Sequence, residues 1–175
     1  MPLPLIDHTY FSSELAVGSL SQEEIFANFN AFILKYERKF LYKILGQTLA
    51  DEFLVEMAKP EVDIIQKWKD LRAKLVNPIA KESPIANYVW FYYVRDLITQ
   101  QTGTGNASPT NENSILVNPI DKTTRAWNEM VSLNYSFYDW ISGTDGVYGE
   151  LPYTFGRCHM GRRNELYVRL NTLNV

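Results

Sequence analysis

Cys158 and His159 are the one thiol–imidazole pair of neighbours in a chain with a single cysteine and two histidines. A thiolate beside a histidine is the raw material of covalent catalysis. Adjacent residues in a strand or loop point apart, so His159 is not placed to take the Cys158 proton. Carboxylate pairs are the second candidate: Glu23 with Glu24, Asp51 with Glu52, and Glu37 with Glu56. Such pairs can divide acid and base roles or hold two metals inside a helical bundle. Bundle metal sites also need a Glu-x-x-His pair, and neither His8 nor His159 falls on a predicted helix. The carboxylates therefore read as solvated helix faces. Gly103-Thr-Gly105 lacks the lysine and third glycine of a phosphate loop, and it follows a helix rather than a strand. It reads as a flexible loop. No nucleophile with its base can be named, and no metal or cofactor set, so the sequence predicts a protein that is not an enzyme.

The remaining cluster is basic. Arg157, Arg162, Arg163 and Arg169 lie near the C-terminus with His159 among them. Such a patch can meet a nucleic-acid backbone or an acidic partner. Ordinary solubilising arginines are the alternative, and both readings stay open. The formal net charge of -3 and pI of about 5.4 argue against global non-specific binding to nucleic acid.

These residues need a scaffold, and composition says which kind. Apolar residues make up 46% of 175 residues and charged residues 21%, enough for one domain to bury a core without metals or disulfides. Eleven tyrosines and four tryptophans exceed what a core usually needs, because each buried polar tip wants a partner. Both residue types are favoured at protein–protein interfaces. Met1-Pro-Leu-Pro-Leu-Ile-Asp-His lacks the basic start and apolar run of a secretory signal. No apolar run is long enough to span a bilayer, and a location in the cytoplasm of the producing cell is expected.

The pattern predicts a mainly α chain: about five helices, one long inserted loop, and extended arms at both ends. Residues 1–20 form the N-terminal arm, held extended by Pro2 and Pro4. Its apolar residues, with Tyr10 and Phe11 among them, must lie on their own domain or on a neighbour. The helical core covers 21–142. Ser21 and Glu24 form a capping box for a helix that ends at Gly46. A second helix runs from about Thr48 to Lys59, and Pro60 stops it. A third covers Val62 to Leu75, with Ile64 and Ile65 inward. The fourth opens at Pro84 and is apolar on most faces, so it should be central. Residues 101–118 read as a turn-rich loop ending in a β-like run, Ile115 to Val117. A loop this long is usually functional. Asn118 and Pro119 open a fifth helix that runs to about Ser142. Residues 143–175 form the C-terminal arm. Alternation over Leu166–Leu173 predicts a strand, which must pair with 113–117 or with another subunit.

The order of these features resembles the head-to-tail connector, or adaptor, proteins of tailed bacteriophages. In detail it is similar to a virion family of phages that infect Bacteroidetes, including the crAss-like group. The likeness is carried by Phe32-Ile-Leu-Lys-Tyr-Glu-Arg-Lys-Phe-Leu-Tyr-Lys-Ile-Leu-Gly46, Ile85-Ala-Asn-Tyr-Val-Trp-Phe-Tyr-Tyr-Val-Arg-Asp96 and Thr102-Gly-Thr-Gly105 with Asn111-Glu-Asn113. The stretch Lys122 to Val131, with its Ala126-Trp-Asn-Glu-Met-Val131 core, completes it. It covers 21–142 and leaves both arms unanchored. The resemblance implies a structural ring protein, commonly a dodecamer, stacked below the portal. Its partners would be its own copies, the portal, and other tail or ring proteins. Genomic DNA would pass through the channel without specific binding, and no membrane is involved. The expected contact residues toward other subunits or partners are Tyr10, Phe11, Gly103, Gly105, Asn113, Tyr153, Phe155, Arg157, Arg162, Arg163, Tyr167 and Arg169. The competing expectation is a helical assembly or regulatory binding protein that is absent from the mature virion.

Overall fold

Helix α1, Glu23–Leu45, buries Phe29, Ile33, Phe40, Leu41, Ile44 and Leu45 along one stripe. The computed structural model describes residues 4–18, 20–98, 100–102, 105–107, 120–142 and 164–171. The α1 helix runs without a break, and Gly46, at φ 78°, ends it in the left-handed region that glycine tolerates. The expected capping box is not formed. Gln22, not Ser21, is the cap residue, and no side chain bonds the first turn. The Ser21–Glu24 spacing is right, but it sits one residue too early for the helix that forms.

Helix α2, Gln47–Met57, turns Leu49, Ala50 and Phe53 inward. The next helix starts later than predicted. Glu61–Asp63 forms a 3-10 turn instead, and α3 covers only Gln66–Leu75. Ile64 and Ile65 are both extended, so they face opposite ways. Ile64 is buried and Ile65 is 55% exposed, which corrects the inward expectation for Ile65.

Helix α4, Pro84–Ile98, opens with proline as expected. Seven consecutive residues are buried, the apolar Ile85, Ala86 and Tyr88 to Phe91 with Asn87 between them. Burial all round the helix is what a central position demands. Tyr88 lies 5.4 Å ring to ring from Phe40 of α1. Ser83 ties the helix start down: its hydroxyl donates to the Leu75 carbonyl at 2.8 Å and accepts from the Ile85 N–H at 3.2 Å. Ser83→Ala strands both groups in a buried place. We expect a loss of about 1–2 kcal/mol in chemical denaturation, the usual size for a lost cap.

The stretch after α4 is not wholly loop. Strands β1, Gln100–Thr102, and β2, Gly105–Ala107, pair antiparallel in the register Gln100–Ala107, Gln101–Asn106, Thr102–Gly105. Residues 101, 102 and 105–107, which read as loop, lie in paired strands here. The expected run Ile115–Val117 and the Asn118–Pro119 cap lie outside the described residues. Helix α5, Ile120–Ser142, packs on α4 with Trp127, Met130, Val131, Phe137 and Ile141 buried. Asn87 crosses between the two, donating to the Ala126 carbonyl at 3.1 Å.

Candidate interaction site

Both ends of the described chain are laid against this helical core, and side chains of the core hold their backbones. At the N-terminal end, Leu5, Ile6, Tyr10 and Phe11 are buried, and Phe11 meets Phe29 edge to face at 4.7 Å. The segment lies on its own domain. Its anchor is Glu37, in the middle of α1 and 3% exposed. The carboxylate accepts from the Leu5 N–H at 3.1 and 2.9 Å, and from the Ile6 N–H at 3.2 Å. Burial pushes its pKa up to about 7, against the pull of those two backbone donors. The expectation of a solvated Glu37 is therefore wrong: it is a buried acceptor for main chain. Its proposed companion Glu56 forms an ion pair with Lys59.

At the C-terminal end, residues 164–171 run antiparallel along α5. The expected strand does not form. Glu165–Tyr167 is a 3-10 turn, followed by extended backbone at Val168. Its backbone finds its partners on helix side chains instead of a neighbouring strand. Asn134 Nδ2 donates to the Leu166 carbonyl at 2.8 Å, and the Tyr135 hydroxyl to the Tyr167 carbonyl at 3.0 Å. Trp127 Nε1 donates to the Val168 carbonyl at 2.8 Å. Asn128 serves Leu170 twice: Nδ2 donates to its carbonyl at 3.0 Å and Oδ1 accepts from its N–H at 2.8 Å.

The spacing explains the ladder. Trp127, Asn134 and Tyr138 fall in one row of α5, seven and four residues apart, and Asn128, Ser132 and Tyr135 in the next, four and three residues apart. Ser132 adds a bond from Arg169 at 3.1 Å. The start of the segment also closes α1. Asn164 donates to the Lys43 carbonyl at 2.8 Å, one of the last-turn acceptors that a helix leaves open, and Lys43 pairs with Glu165 at 2.6 Å. Leu166 and Tyr167 are the buried apolar anchors. Burial also raises the Tyr167 pKa, with Tyr138 and Tyr135 adding to it, so the phenol stays neutral.

No protein-family model, curated protein or solved structure matches this chain. The site must then be judged on its own chemistry. Among the described residues there is no group of three or more His, Cys, Asp or Glu that could hold a metal. No helix among them is long and apolar enough to cross a membrane. What α5 offers is recognition of main chain by amides, an indole and a phenol.

The expected contact residues divide accordingly. Tyr10 and Phe11 belong to the chain's own core. Tyr167 is buried against α5, and Arg169 is exposed beside Ser132. Gly105 opens β2. Gly103, Asn113, Tyr153, Phe155, Arg157, Arg162 and Arg163 lie outside the described residues, as do Cys158 and His159. Sequence reasoning missed Glu37 and Asn128 as anchors. The available signal was polar side chains, Glu37, Asn128 and Asn134, inside otherwise apolar stripes, where asparagine is a poor helix former. Asn128→Ala removes both bonds to Leu170. The expected result is roughly fivefold to tenfold faster hydrogen exchange at the 168–171 amides, from about 1 kcal/mol or more of lost bonding. Exchange measured by mass spectrometry checks it, and unchanged protection would show that Asn128 does not hold the segment.

Proposed function

We infer that this chain is a structural virion protein, one copy of a ring in the portal–tail connector of a tailed phage. The ring extends the DNA channel and docks tail components. The reading is carried by the order and spacing of the family-like stretches. Phe32–Gly46 covers most of α1, Ile85–Asp96 most of α4, and Lys122–Val131 the first half of α5. The likeness therefore falls on the three helices that pack together as the core. A closed ring needs two different faces of one chain to be complementary. Exposed Tyr135, Tyr138 and Val168 beside the docked C-terminal segment offer apolar and aromatic surface of the kind interfaces use.

Two measurements test the reading. Purified protein mixed with its portal should give rings by electron microscopy and native mass measurement. Mass spectrometry of purified virions should find many copies per particle. Monomers alone with no ring, and no copies in the virion, would overturn it. Abundance in infected cells with absence from virions would instead favour an assembly or regulatory protein.

A further inference from the structure

The outer face of α1 carries a row of cations. Lys35, Lys39 and Lys43 fall at four-residue steps, roughly 6 Å apart along the helix, and all three are exposed. Arg38 stands at the edge of the row. The one carboxylate between residues 35 and 43 is Glu37, which is buried against Leu5 and Ile6. Glu23 and Glu24, at the helix start, lie about 16 Å or more before Lys35 along the axis, beyond the ~8 Å over which salt leaves exposed charges unscreened.

The charges of the row are only partly answered. Arg38 pairs with Asp51 at 3.3 Å, and Lys43 with Glu165 at 2.6 Å. Both pairs are exposed, and such pairs contribute little, so an incoming anion can displace the carboxylates. Lys35 and Lys39 have no ion pair among the described residues. Their ammonium groups lie 5.6 and 4.5 Å from the centre of the Tyr36 ring. A ring face holds an ammonium in place without neutralising it. Tyr36 is itself fixed by stacking on Phe32 at 4.2 Å and on Tyr92 of α4 at 5.1 Å. The two charges are therefore positioned and uncompensated. One acid bounds the patch: burial and then Asp96 raise the Tyr93 pKa, and Tyr93 meets Phe32, one turn before Lys35.

We propose that this face of α1 binds the phosphate backbone of duplex DNA, without regard to sequence, through Lys35, Lys39 and Lys43. A straight row at constant step suits a polymer with one charge at every residue, which nucleic acid is. Lysine is a compact point charge, able to meet phosphate without a fixed angle. Tyr36, the ring beside the row, is stacked on both neighbours and covered by the two ammonium groups. It leaves no platform for an unpaired base, so the duplex is favoured over a single strand. The net charge of -3 is spread over the whole chain and does not cancel a local row. The inference stands without the ring reading.

Fluorescence anisotropy of the full chain with a labelled mixed-sequence duplex of about 30 base pairs tests it, between about 50 and 200 mM salt. Three phosphate contacts contribute about -2.7 to the slope of log affinity against log salt. Lys35→Gln with Lys39→Gln is expected to reduce the size of the slope by about 1.8. Lys35→Arg with Lys39→Arg keeps both charges and should keep the slope, which separates lost charge from a disturbed fold. No binding at the lowest salt overturns the proposal. So does a slope that the glutamine changes leave alone and that Arg157→Gln, Arg162→Gln and Arg163→Gln together remove, since binding would then belong to the C-terminal cluster. Tighter binding of a single strand of equal length, or of poly-glutamate, assigns the row to another partner and overturns it as well. A chain that binds the duplex through α1 and never forms a ring leaves the proposal standing and sinks the ring reading alone.

Discussion

Glu37→Ala is expected to destabilise the chain by about 2–4 kcal/mol near pH 5. The helix itself is not the reason, since alanine suits a helix interior better than glutamate. The cost arises at the other partner. Leu5 and Ile6 are 7% and 1% exposed, so removing the carboxylate leaves two buried N–H groups with nothing to bond. Each such group costs about 1–3 kcal/mol. Relief of burying an acid offsets part of this, and how much depends on pH. The Glu37 pKa is about 7 in the folded chain, against an ordinary 4.5. Between those values the folded chain keeps a proton that the unfolded chain has released. The contribution to stability is therefore full below about pH 4.5 and is lost as pH rises through about 7, a change of about 3 kcal/mol by linkage. Two results follow. The penalty of Glu37→Ala narrows towards pH 8, where the native carboxylate is itself costly to bury. Glu37→Gln, which keeps one acceptor oxygen and cannot titrate, flattens the difference in urea midpoint between about pH 5 and 8. Equal slopes for native chain and Glu37→Gln would show that this carboxylate is not the titrating group.

The same residue shows where sequence stops being informative. Helices α2, α4 and α5 follow from proline placement and apolar spacing, because those are local properties. Glu37 looks solvated from its neighbours in the chain. Its burial depends on Leu5 and Ile6, some thirty residues earlier, arriving with unpaired donors. Ile65 failed in the opposite sense. Its periodicity fitted a helix, but the 3-10 turn at Glu61–Asp63 shifted the start and turned it outward. The C-terminal stretch shows both sides. Alternation over 166–173 correctly marks extended backbone at Val168. The partner could not be read, because pattern rules supply only strands as partners for strands. Here a helix supplies indole, phenol and amide groups at turn spacing. That alternative is legible only once Trp127, Asn128, Asn134 and Tyr135 are known to face one segment. Half-exposed Val168 marks the departure from a strand, since a strand pattern would bury it with Leu166.

Leu166→Ala is expected to release the C-terminal segment without unfolding the core. Leu166 is fully buried, and Leu-to-Ala changes at such sites cost about 2–5 kcal/mol. In a core helix that loss would lower global stability. Here it falls on a short segment with two buried apolar side chains, Leu166 and Tyr167, and a set of bonds that water can replace once the segment lifts. The local opening equilibrium should therefore absorb the loss. Amides of 166–171 are expected to exchange about a hundredfold faster, the equivalent of about 2.7 kcal/mol, while α1 and α4 keep their protection. Trp127 supplies an optical readout, because its indole loses the Val168 carbonyl and gains solvent when the segment leaves. Asn134→Ala combined with Leu166→Ala should cost less than the two changes added, since both act on the docking of one residue. If α4 amides lose protection in step with 166–171, the segment is part of one cooperative unit with the core.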